Sequence, residues 1–270
     1  MGKGVSMSEI LLYPLLLSIP LAVLIGPVGS ILVWRRSSFL ADVVSHMGIL
    51  AFAISEVTQL PILAVSICVS TLVSVALEWA PSFIPKDAWL AGVSSLGISI
   101  GLLLLSSNGS SHSFDHVFWG DMFALTQNDI VVFAIATGFL GMHLIVFWKS
   151  LVLIMFHEEL AVLDGIPVRF VKFVNNVIAG VVIALSLKVM GVLLTGALFV
   201  LPSIGLRFLN LTPERHIIGA MVMVFTSFVV GVGISVQTDA IAAPWVIFAL
   251  VVLNFSVIFL KKGIDIRREK

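Results

Sequence analysis

Residues 170–206 read FVKFVNNVIAGVVIALSLKVMGVLLTGALFVLPSIGL. This stretch is largely apolar, and in its middle Lys188 with Gly191 makes a polar, turn-forming interruption. Read as one segment it is far longer than the ~20 residues that cross a bilayer core. Read as two, it gives membrane spans at 170–187 and 191–206 with a tight turn between them. Either reading requires a membrane. The chain is 59% hydrophobic and 11% charged over 270 residues, against about 45–50% and about 25% for a soluble domain.

Working outward, the same criterion gives spans at 9–33, 38–56, 60–79, 89–106, 129–148, 170–187, 191–206, 216–236 and 241–260. Charge placement supports splitting 170–206. With the N-terminus outside, all but Lys3 and Lys188 of the fifteen basic residues fall in inner segments. That is the positive-inside asymmetry. Merging the sixth and seventh spans would turn the basic tail (Lys261, Lys262, Arg267, Arg268, Lys270) outward. Trp34, Trp79, Trp89 and Trp148 then mark inner span ends, and Trp119 and Trp245 outer ones, where indoles concentrate. The expected fold is an all-α polytopic bundle of about nine transmembrane helices forming one domain over 1–270, with its C-terminus in the cytoplasm.

Some spans carry helix-breaking residues: Pro14, Pro20 and Gly26-Pro27 in the first, Gly196 and Pro202 in the seventh. Breaks in a membrane are tolerated only against protein or a wet cavity. Small residues also permit close helix packing, as Gly97-x-x-x-Gly101 suggests. Met1-Gly2-Lys3-Gly4-Val5-Ser6 fits a myristoylation pattern, but a chain with nine spans needs no lipid anchor. The first apolar stretch has span length and no small-residue cleavage site, so it reads as a span rather than a signal peptide. Zero formal charge gives no reason to expect a nucleic-acid partner. Cys68 stands alone, so neither a disulfide nor a cysteine metal cluster can form within one chain.

Ionisable side chains inside a membrane are costly and are functional candidates. Asp42 and His46 are four residues apart in the second span and share a helix face. A carboxylate with an imidazole is a ligand pair for a divalent transition metal. The alternative is a structural Asp–His hydrogen bond. His143, alone on an apolar stretch, reads as a core histidine. The outer loop carries His112, Asp115, His116 and Asp121, a set that either captures metal or is a solvated serine-rich loop. The cytoplasmic segment 156–167 reads as a short helix. Glu158 and Glu159 open it against the helix dipole, Leu160 and Leu163 form an apolar ridge, and Gly165 and Pro167 end it. A helix this short is marginal unless it docks on something, either a partner or the protein's own loops. His157-Glu158 begins a zinc-protease pattern, but Ala161 occupies the second ligand position. No phosphate-binding glycine loop occurs, so the chain is not its own ATPase.

Four stretches together resemble the permeases of zinc, manganese and iron ABC importers, most nearly the zinc-uptake branch, over about residues 10–262. They are Gly26-Pro-Val-Gly-Ser30 with Val33-Trp-Arg-Arg36; Asp42-x-x-x-His46; Phe118-Trp-Gly120-Asp121 with Leu125-Thr126 and Asp129; and Glu159-Leu-Ala161-Val-Leu-Asp164-Gly165. Leu187-Lys188-Val-Met-Gly191 and Leu201-Pro202 follow in order. Met47-Gly48 and Asp239-Ala-Ile-Ala-Ala-Pro244 depart from the family's usual runs. The resemblance implies a multi-pass inner-membrane protein that works as a homodimer surrounded by lipid. It implies a cytoplasmic ATPase dimer docked on 158–165 and an extracytoplasmic metal-binding protein. It also implies an ion path lined by Asp42 and His46, with zinc, manganese or iron as cargo rather than resident cofactor. Two other classes fit the composition. A secondary transporter predicts internal repeats, and none is evident. An intramembrane metalloenzyme needs a third ligand in one chain.

Overall fold

The computed structural model describes residues 7–108 and 114–268. Its regular structure is helical, with no strand among the described residues. In chain order the helices are α1 (Met7–Trp34), α2 (Phe39–Thr58), α3 (Ile62–Glu78), α4 (Lys86–Asn108), α5 (Phe114–Trp119), α6 (Gln127–Phe156), α7 (Glu158–Leu163), α8 (Val168–Arg207), α9 (Pro213–Thr238) and α10 (Ala242–Arg268). Seven of them are long and apolar enough to cross a membrane. α3 is apolar but only 17 residues long, about 25 Å at 1.5 Å per residue.

Local signals set the ends. Pro213 opens α9, where its missing N–H costs nothing. α2 and α9 end on left-handed residues, Gln59 and Asp239, with φ of 56° and 51°. Thr126 and Asp129 form a reciprocal capping box at the start of α6.

α8 decides the topology. Its 40 residues would reach about 60 Å if straight, twice the hydrocarbon core. At Gly191 the backbone leaves helical geometry, with φ 70° and ψ 172°. Arg35 donates to the Asn176 side-chain oxygen at 2.7 Å, and the Ser30 and Ser203 hydroxyls lie 3.1 Å apart. Asn176 and Ser203 would stand about 40 Å apart on a straight helix, yet both sit against the last turns of α1. The chain therefore folds back at Gly191, and 168–190 and 192–207 are two limbs. With both limbs and α3 counted, nine apolar segments traverse the bundle among the described residues, the number the charge pattern predicts. Gly191 is also where the 118–120 backbone presses on the reversal: a Cβ there would meet the Phe118 carbonyl at 2.2 Å and the Gly120 nitrogen at 2.5 Å.

The prolines behave differently from expectation. α1 stays helical through Pro14, Pro20 and Pro27, and the second limb of α8 stays helical through Gly196 and Pro202. The break lies at Gly191 alone. The small residues of α1 serve packing instead, since a Cβ on Gly29 would fall 2.0 Å from the Phe199 carbonyl. Gly97 and Gly101 likewise let α4 close on α2 at Met47 and Leu50.

The limbs of α8 form the centre of the bundle, with α1, α2, α3, α9 and α10 packed around them. Buried polar groups tie the Arg35 end together. The His216 ring contacts the Ser30 hydroxyl and the Ser203 carbonyl, both at 3.2 Å, and packs at a tilt against Trp34. His143 is buried against Phe147, as a core histidine should be, but its Nε2 has no partner among the described residues.

Candidate functional site

Asp42 and His46 occupy successive turns of α2, where the helix is clamped between α4 and the second limb of α8. Both are partly exposed amid buried neighbours: Ala41, Val43, Val44, Ser45 and Met47 are all within the core. The Asp42 carboxylate lies directly on the backbone of Gly196; a Cβ there would stand 1.8 Å from its Oδ1. His46 Nδ1 lies 3.5 Å from the hydroxyl of Ser94 on α4, which is buried. The imidazole's hydrogen-bond contact is thus to Ser94 rather than Asp42. A carboxylate and an imidazole therefore stand one turn apart, each against a neighbouring helix.

Among the described residues no three His, Cys, Asp or Glu side chains converge as a metal site. A single carboxylate and imidazole would be an incomplete shell for a divalent transition metal.

The outer-loop set is only partly visible. His112, and the side chains of Asp115 and His116, lie outside the described residues. Asp121 accepts the Ala124 N–H at 3.0 Å, and its own N–H donates to the Lys188 carbonyl at 3.1 Å. It therefore builds the turn that seats α5 on the reversal of α8. Beside it the Lys188 ammonium and the Asp129 carboxylate pair at 2.6 Å. The motif pieces 118–121, 129 and 187–191, scattered in sequence, form one contact.

At the opposite end, α7 hangs between α6 and α8. Ala161 is fully buried against Ile31, Leu151, Ile154, Val168 and Val171, anchoring the short helix to the bundle. Leu160 and Leu163 project outward, 50% and 81% exposed. Glu159 and Asp164 are exposed too. Glu158 is pulled back by Lys172 at 2.6 Å, so it stiffens the loop as well as facing solvent. Gly165 has φ 74°, and nothing lies within 4 Å of a Cβ built there. A left-handed backbone, not lack of space, requires glycine. α7 therefore has an inner face on its own protein and an outer apolar ridge with no cover.

Sequence reasoning missed Ser94 and Gly196 as supports of the pair. Ser94 stands one turn before Gly97, whose small-residue motif already marked the α4 face that meets α2. Gly196 was visible only as a helix-weakening residue.

Comparison with known proteins gives a consistent picture. The family model described as the ABC 3 transport family matches residues 7–261. The chain is 26% identical to the high-affinity zinc uptake system membrane protein ZnuB of Buchnera aphidicola subsp. Acyrthosiphon pisum, covering 89% of this chain and 94% of the relative. It is 28% identical to ZnuB of Haemophilus influenzae, with the same coverage of 89% and 94%. Among solved structures, PsaBC from Streptococcus pneumoniae in complex with Fab superposes with a TM-score of 0.84 at 21% identity, over 94% of this chain and 92% of that one. That similarity places the fold.

Proposed function

The chain belongs to the ABC 3 transport family, and from that premise we propose that it is the membrane-spanning permease subunit of a divalent-metal ABC importer, with zinc as its ion. The observation that carries this reading is the Asp42–His46 pair, a carboxylate and an imidazole held inside a span with no third such side chain converging on them among the described residues. In a homodimer whose ion path follows the two-fold axis, two copies would offer two carboxylates and two imidazoles, enough for four-coordinate zinc. The pair would replace water as the ion enters. A shell assembled from two mobile halves can also release it, as conduction requires. ATP hydrolysis belongs to a separate subunit, and an extracytoplasmic binding protein delivers the ion. Zinc rests on the similarity to the zinc-uptake relatives, because an oxygen–nitrogen site also accepts manganese and iron. The test is reconstitution with the ATPase subunit in proteoliposomes. Zinc should stimulate ATP hydrolysis and uptake. Metal uptake driven by an ion gradient without ATP would indicate a secondary transporter instead.

We assign the Arg35, α7 and Lys261 end to the cytoplasm, on the charge asymmetry. Reporter fusions after Lys262 and within 107–116 should then report opposite sides. Agreement between them would sink the assignment.

α7 is the segment through which the ATPase acts. Its Leu160–Leu163 ridge would enter a groove of that subunit, with Glu159, Ala161, Asp164 and Gly165 holding the ridge at its angle and Glu158 bracing it through Lys172. Gly165→Pro cannot adopt φ 74°, and Glu159→Lys reverses a charge beside the ridge. Each should reduce metal-driven ATP hydrolysis at least about tenfold while the permease stays folded in the membrane. Full coupling in both would remove α7 from the pathway of force.

A further inference from the structure

α3 and α6 both pack on the first limb of α8 but scarcely on each other. Two adjoining cavities lie along the gap between them and together form a slot. The upper one, of about 520 Å³, is walled also by Gly48 and Phe52 of α2 and by Val117, and it reaches the Lys188–Asp129 pair; the lower one is an apolar groove of about 480 Å³ running down to Phe139 and Phe173. Leu63, Val132 and Leu185 line both. Along α8, from Lys188 to Phe173, the slot runs about 22 Å at 1.5 Å per residue. That exceeds the ~15 Å half-thickness of a hydrocarbon core, and it is the reach of one extended acyl chain.

The rim of the upper cavity is polar, carrying Lys188 with the carboxylates of Asp129 and Asp121. Lys188 spends one donor on Asp129, at 2.6 Å, yet its side chain remains 51% exposed. An ammonium has three donors, so two remain to meet an anionic oxygen above the slot. Asp129 is 15% exposed and fixed by the Thr126 backbone and hydroxyl, which keeps the lysine at the mouth. We propose that this slot is a binding site for one membrane phospholipid, with an acyl chain lying between α3 and α6 and the headgroup phosphate on Lys188. The same lipid would brace the contact between α6, the 118–121 turn and the Gly191 reversal.

The experiment uses the full-length permease in nanodiscs of phosphatidylethanolamine and phosphatidylglycerol, extracted into mild detergent for native mass spectrometry. Wild type should keep one phospholipid per chain after bulk delipidation. Ala136→Trp fills the middle of the slot, and Lys188→Met removes the phosphate partner. Each should lower the retained fraction about tenfold, the cost of losing a few buried methylenes or one headgroup cation. Equal retention in wild type and both variants, or none in wild type, overturns the proposal. A second copy is the competing cover. Efficient disulfide-linked dimers from Phe139→Cys in a Cys68→Ser background would place a protein there and overturn it equally.

Discussion

Asp42→Asn should cut metal uptake at least about a hundredfold while the permease still inserts and assembles with its ATPase. The substitution keeps the size and outline of the side chain, so its fit against Gly196 is preserved. What it removes is charge. A divalent ion leaving water needs negative charge nearby, and an ion and a carboxylate about 4 Å apart interact by about 4 kcal/mol per unit charge at an effective dielectric constant near 20. Losing even part of that at each copy's pair predicts a decrease of at least about a hundredfold, since about 1.4 kcal/mol is tenfold. His46→Ala should have a similar effect by removing the softer ligand. The measurement is radioactive zinc uptake into proteoliposomes at matched protein content, with ATPase co-purification as the assembly control. Uptake at the wild-type rate by Asp42→Asn would make the carboxylate structural and would move the ion path elsewhere.

The bundle was legible because membrane physics writes long signals. A run of about 20 apolar residues, a basic inner flank and an interfacial tryptophan survive any packing detail. Even the reversal inside 170–206 was readable, because the basic tail has a side to reach. What the sequence hid is contact between helices. Lys188 stood out as a basic residue on the wrong side, but its partner Asp129 lies far along the chain and the pair forms only when α8 folds back. The prolines of α1 looked like breaks. Proline removes one hydrogen bond and crowds one carbonyl, and a helix wedged between α8 and α9 can absorb that. Gly29 and Gly196 then proved to be places where another group approaches the backbone. Periodicity reports which face of a helix is apolar. It does not report which neighbour's carbonyl or carboxylate will press on that face.

Gly196→Ala is the variant in which this hidden contact should have its largest effect. A Cβ at 196 would lie 1.8 Å from Asp42 Oδ1, 2.9 Å from its Cγ and 3.1 Å from its Cα. Rotating the carboxylate away relieves the first two contacts, and the third still asks α2 to yield by a few tenths of an ångström. The ligand pair would therefore be displaced without any loss of ligand chemistry. Uptake should fall by roughly the factor expected for Asp42→Asn, with the permease still folded, because overpacking of this kind costs about 1–3 kcal/mol. Gly48→Ala is the matched comparison. It sits on the same seam between α2 and α8, but its Cβ would meet the end of the Leu187 side chain at 2.8 Å, which can swing aside, so uptake should largely survive. Combining the changes sharpens the test. If Gly196 acts by placing Asp42, then Gly196→Ala should add little on top of Asp42→Asn, since variants that disable one unit are not additive. Multiplying losses in the double variant, or equal losses from Gly48→Ala and Gly196→Ala, would mean that the seam matters only as packing and that Gly196 has no special claim on the carboxylate.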